Sequence, residues 1–268
     1  MKNFNIKRFT KVLIRLFLNK KRSSRSLLLG LIIFFSLSAI FFCNPFSLEP
    51  IDKVFLESKL SQSLYLSVFG AVTIIYIYGA YIISDLHTKQ NLLNELSLPA
   101  TNLEKFIARY LYSTVSIIMI IIIALFISDI FQMFFNMVIH KGSYASITKL
   151  IFKSLTRIDS NLLETFFQKT LFSGLMLHSL YILGGMLFKK VAWLQTSITI
   201  GILSIIFCII FIGFSYLIYR YTDYVVIVLY DKQTLLKIIN ILFTCLFYYL
   251  AYKIYCRLQV INNKWLNI

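Results

Sequence analysis

LPATNLEKFIARYLYSTVSIIMIIIIALFIS, residues 98–128, joins a deliberate helix start to a long apolar run. Thr101 and Glu104 form a T-x-x-E capping box: the hydroxyl accepts from one free backbone N–H and the carboxylate reaches back to another. Pro99 keeps Leu98 out of the helical region, which sharpens the start. The helix continues through Leu103, Phe106, Ile107 and Tyr110 on one side, with Glu104, Lys105 and Arg109 elsewhere, and flows into nineteen mostly apolar residues, Tyr110 to Ser128. A run of that length suits a bilayer crossing.

The rest of the chain repeats this pattern. Of 268 residues, 59% are hydrophobic and 14% charged, and the mean hydropathy is +0.78, more apolar side chain than a soluble core can hide. Apolar runs near Ser26–Cys43, Ser63–Ser84, Tyr110–Ser128, Thr170–Phe188, Val191–Tyr219 and Leu235–Tyr252 predict six crossings and an all-α, polytopic membrane protein forming a single domain, residues 1–268. The net charge of +16 is therefore read against the bilayer and not as a nucleic-acid surface. With the N-terminus inside, seventeen of the 27 Lys and Arg face the cytoplasm and only three of the eleven acids do (Asp85, Glu95, Glu104). Both termini are expected to be cytoplasmic, with residues 85–109 inside and residues 136–169 forming a partly ordered external segment.

Within residues 1–25, Phe9, Val12, Leu13, Leu16 and Phe17 recur at helical spacing, with Lys7, Arg8, Lys11 and Arg15 largely off that stripe. This predicts an amphipathic helix on the inner membrane surface. A cleaved signal peptide is not expected, since no small-x-small site follows the first apolar run. The connection between the fourth and fifth runs is only a few residues long, so the 85–109 segment is the natural docking point for a cytoplasmic partner.

LPATNLEKFIARYL resembles the L-P-x-[ST]-x-x-E-K-F-x-x-R segment of bacterial membrane proteins related to type-2 ABC transporter permeases. HSLYILGGMLFKKVAWLQT, residues 178–196, is similar to the span–turn–span segment of the same group: Gly184, Gly185, Phe188, Lys189, Lys190 and Thr196 match, and Gln195 stands where a lysine is usual. The resemblance implies a six-span permease half in the bacterial inner membrane, working as a homodimer or heterodimer. It implies a cytoplasmic coupling helix that meets a separate ATPase subunit, with residues 92–109 as the contact and Leu98, Pro99, Thr101, Glu104, Lys105 and Arg109 as its main positions. Most members of the group are exporters. A non-transporting scaffold that recruits a cytoplasmic partner would use the same features.

The residues themselves argue against catalysis in this chain. No GxxxxGK[ST] stretch is present, so ATP is expected only on a partner subunit and no cofactor on this one. His87, His140 and His178 lack ligand spacing, and no metal is expected. Asp129, His178 and Lys237 are the ionisable groups singled out within or beside the apolar runs: Lys237 is expected to reach the outer interface, and the other two are expected as an interfacial acid and a neutral hydrogen-bonded histidine more than as a proton relay. No nucleophile-and-base constellation accompanies them, so an enzyme is not expected. The glycines of the runs, with Ser67 and Ala71, are read as close-packing positions. Cys43, Cys208, Cys245 and Cys256 are read as small buried hydrophobes, and Tyr216, Tyr219, Tyr221 and Tyr224 as an interfacial aromatic belt.

Overall fold

The computed structural model describes residues 4–43, 53–140, 144–157, 160–221 and 233–258. Among them the chain is all-helical: α1 (Ile6–Phe42), α2 (Lys53–Tyr78), α3 (Lys89–Leu96), α4 (Asn102–Leu111), α5 (Ile117–Ile139), α6 (Ile147–Arg157), α7 (Ser160–Leu187), α8 (Ala192–Tyr221) and α9 (Gln233–Cys256). Two 3₁₀ turns, Gly79–Tyr81 and Ser84–His87, follow α2, and a π turn, Tyr112–Ser116, joins α4 to α5. Five helical stretches are long and apolar enough to cross a membrane: Ile6–Phe42, Val54–Leu86, Asn102–Ile139, Ala192–Tyr221 and Lys237–Cys256. A sixth apolar helical stretch, Leu171–Leu187, is shorter.

The helices gather into two compact units, Met1–Tyr76 with Leu103–Gln168, and Ile77–Asn102 with Lys169–Ile268. In the first, α1 and the α4–α5 rod run parallel. Asn5 and Arg8 meet Glu104 at one end, Ser24 bonds Tyr112, and Cys43 meets Asn136 and His140 at the other end. Phe17 packs edge-on against Tyr112, with the Lys20 ammonium over the same ring. α2 returns antiparallel to α1. Ser67 approaches Ser38, Ala71 is buried, and a Cβ at Gly70 would press on the Phe34 ring, so the expected small-residue face of α2 lies against α1.

One expectation changes here. The basic N-terminal segment and the first apolar run are not separate helices, because α1 is one helix of 37 residues. No proline or glycine interrupts it before Gly30, and at 1.5 Å per residue it is about 55 Å long, well beyond the roughly 30 Å of hydrocarbon. Its Val12 and Leu16 are buried by protein instead of lying on lipid. Among its described residues the 136–169 segment holds the end of α5, a turn at His140, a non-helical stretch at 144–146, then α6 and the start of α7.

In the second unit α7 is central. A Cβ at Gly79 would touch Ile182 and His178; one at Gly185 would stand 2.5 Å from the Ala80 carbonyl oxygen; one at Gly184 would collide with the Thr196 side chain. Tyr181 bonds Ser197 across the turn into α8, and His178 Nδ1 shares a hydrogen bond with the Tyr248 hydroxyl of α9. By contrast the outer parts of α8 and α9 are open. Cys208, Cys245 and Cys256 are exposed and only Cys43 is buried, which corrects the reading of all four as buried: the three lie on helix faces that no other described helix covers. Tyr216, Tyr219 and Tyr221 are exposed as a belt requires, while Tyr224 lies outside the described residues.

Candidate functional site

The segment after α2 is built by short local devices. Asp85 offers its carbonyl to the Asn91 side-chain amide. Thr88, in extended conformation, caps α3 by accepting from the Asn91 backbone N–H. α3 then turns Leu92 and Glu95 inward and leaves Leu93 and Leu96 exposed. A buried carboxylate needs hydrogen-bond donors, and Glu95 takes the Tyr255 hydroxyl of α9 at 2.8 Å. The chain leaves α3 at Ser97, bends through Pro99 and starts α4 at Asn102.

Glu104 occupies the first turn of α4 and is completely buried. Its Oε1 accepts from the Asn5 backbone N–H at 2.6 Å and from Arg8 Nη2 at 2.9 Å and Nε at 3.3 Å. Asn5 is the N-cap of α1, its own side chain accepting from the Lys7 N–H. One carboxylate thus sits at two helix N-termini, where both backbone dipoles and the guanidinium favour its charge. Composition showed the glutamate but not its partners, because they lie 96 and 99 residues away.

The expected contact positions separate into two kinds. Pro99 is exposed, Leu98 and Thr101 are half-buried, and Glu104, Lys105 and Arg109 are buried. The three charged positions therefore belong to the helix packing of the first unit, and Lys89, Leu93, Leu96 and Pro99 are among the exposed side chains of the segment. At the second motif, Gly184 and Gly185 fit the close approaches described above, Lys189 is half-buried and Lys190 exposed. The turn between them and α8 rests on Val191, a β-branched residue held at φ 45°, a conformation that strains any side chain branched at Cβ.

Asp129 and His178 are both buried, in the first and second unit respectively. The Asp129 carboxylate accepts from Gln132 Nε2 (2.8 Å), Ser146 Oγ (2.7 Å) and the backbone N–H groups of Ile147 (2.8 Å) and Thr148 (3.0 Å). It is the cap of α6, helped by Ser146, which accepts from the Lys149 N–H. A ladder continues up α5: Gln132 also donates to the Ala145 carbonyl and accepts from Asn136, and His140 reaches the Cys43 carbonyl. Asp129, Gln132, Asn136 and His140 recur at helical spacing, a polar stripe visible in the sequence but passed over because only Asp129 carries charge. Among the described residues no three His, Cys, Asp or Glu side chains assemble that could hold a metal ion.

No family model, curated protein or solved structure matches this chain. The assignment of a role therefore rests on the geometry and on the sequence resemblance.

Proposed function

We propose that the chain is the membrane permease subunit of an ABC exporter, driven by a separate ATPase subunit that docks on the 85–109 segment. The observation that carries this reading is the anchoring of the segment: one buried glutamate, Glu95, is held by Tyr255 of the last helix, and a second, Glu104, by Asn5 and Arg8 of the first. A loop that only turned the chain around would be solvated. This one is tied down at two places while presenting Leu93, Leu96 and Pro99 outward, as a segment that receives force from a partner should be.

In this reading Leu171–Leu187 is the sixth crossing. Its 17 residues lie at the lower limit of roughly 17 for a span. The excess of Lys and Arg at the start of α1 supports a cytoplasmic position for that end, and for the start of α4 beside it, in a bacterial inner membrane. Two copies, or this chain and a related one, complete the pathway, which leaves the apolar faces of α8 for lipid and for the partner.

The test is site-specific crosslinking. Photo-reactive residues at Leu96 and Pro99 are expected to capture an ATPase in the native host, and Leu93→Glu to abolish both capture and the stimulation of ATP hydrolysis by this chain. Capture of a cytoplasmic protein without nucleotide hydrolysis would replace transport by scaffolding.

A further inference from the structure

The face of α6 turned away from its unit has no role in the reading above. α6 spends its apolar side inside the first unit: Ile147 is buried in a cluster with Ala39, Cys43, Leu56, Leu60 and Ala145, and Leu150 and Ile151 pack on it. The opposite side, Lys149, Phe152, Lys153 and Thr156, is exposed, and the Phe152 ring is 62% accessible. A helix whose apolar stripe is already used should carry water-facing polar groups there, not an open phenyl ring between two lysines.

The depth of α6 explains the ring. Ser24 and Tyr112 share a hydrogen bond beside Arg25, the last charged residue before the apolar run of α1, and so mark one edge of the hydrocarbon. From Tyr112 to Asp129, the cap of α6, the α5 rod rises about 26 Å at 1.5 Å per residue. From Ser24 to the Ala39–Cys43 cluster that seats α6, α1 rises about 23 to 28 Å. Both rulers put α6 at the far edge of a hydrocarbon layer of roughly 30 Å. A lysine–phenylalanine–lysine face at that depth meets the headgroup-proximal carbons of the acyl chains and the headgroup phosphates. The start of α2 beside it repeats the chemistry, with Lys59 Nζ 5.3 Å from the ring centre of the exposed Phe55.

We infer that the exposed face of α6 is a contact for anionic phospholipid, with the Phe152 ring among the first carbons of the acyl chains and Lys149 on the headgroup phosphate. Glu57 neutralises Lys153 at 3.3 Å, so among the described side chains of this face Lys149 carries the net charge. The contact stands on the depth of α6 alone and does not depend on the ATPase partner.

The test places an indole on the face by Phe152→Trp in vesicles of phosphatidylcholine with one fifth phosphatidylglycerol, subtracting the signal of the unaltered chain with Trp193 and Trp265. Lipids brominated near the headgroup end of their chains are expected to quench position 152 more than lipids brominated near the methyl end. Brominated phosphatidylglycerol is expected to quench as if enriched about fivefold over its bulk fraction, as one lysine at a membrane surface provides, and Lys149→Gln to remove the enrichment. Thr156→Trp gives an independent reporter on the same face. An indole that no brominated lipid quenches, a phosphatidylglycerol signal equal to its bulk fraction, or enrichment that survives Lys149→Gln would each overturn the inference.

Discussion

Glu104 shows how one side chain can set the behaviour of two helices. Its carboxylate takes the Asn5 N–H and two Arg8 nitrogens while fully buried, and a charge-assisted bond of this kind is worth about 1.5 to 3 kcal/mol. Glu104→Gln keeps the shape and removes the charge, so the amides of residues 5–11 are expected to exchange roughly 10- to 100-fold faster in mild detergent, by the same range, while those of α5 stay protected. Equal loosening of α5 would mean that Glu104 supports the whole unit and not the start of α1. Val191 makes the opposite case: at φ 45° the valine opposes its own turn. Val191→Gly is expected to raise the thermal stability of the solubilised protein by about 1 kcal/mol, since a residue with Cβ loses that much in the left-handed region and glycine does not. A fall in stability would show that the valine methyls contribute more than the strain.

At the scale of elements, α6 exists where it does because Asp129 holds its first N–H groups. Asp129→Ala removes that cap and is expected to cost α6 about 1 to 2 kcal/mol, read as new chymotrypsin cleavage at Phe152, with Asp129→Asn intermediate because one acceptor oxygen survives. Close packing gives a second contrast. Gly185→Ala would set a methyl against Ala80 backbone atoms 2.5 to 2.8 Å away, which cannot rotate aside, and an overpacking penalty of about 1 to 3 kcal/mol follows. Gly201→Ala meets nothing within 4 Å and is expected to leave the melting temperature unchanged or slightly higher, alanine being the better helix former. These elements were unequally legible. The apolar runs, the helix starting after Thr101 and the glycine pair were readable because they depend on neighbours within a turn or two. That α1 runs unbroken past the membrane edge was missed because the change from polar to apolar composition at Ser26 looks like a boundary, though no backbone signal accompanies it. The anchoring of Glu95 and Glu104 was not readable at all, since Tyr255 and Arg8 lie 160 and 96 residues away and nothing local distinguishes them from other tyrosines and arginines.

For the whole molecule the open quantity is the number of crossings, and it turns on Leu171–Leu187. If that stretch crosses, Lys190 and Lys89 share a side, and α6 lies on the other; if it does not, Lys190 joins α6. The parallel course of α1 and α4–α5 already ties the chain's start and Glu104 to one end of the first unit, so a single reference position fixes the rest. Lys89, Lys190 and Thr156 are all exposed, which makes them suitable for cysteine substitution, and any background from the native Cys208, Cys245 and Cys256 is measured on the unaltered chain. In intact cells a membrane-impermeant maleimide is expected to reach Thr156→Cys and to miss both Lys89→Cys and Lys190→Cys until the membrane is opened, each signal being taken above that of the unaltered chain. The pairing of the two lysine positions is the informative result, because it holds whichever face the N-terminus occupies. Labelling of Lys190→Cys together with Thr156→Cys would leave five crossings, put the Phe188–Val191 turn on the same face as α6, and remove the even-numbered layout that the exporter reading requires.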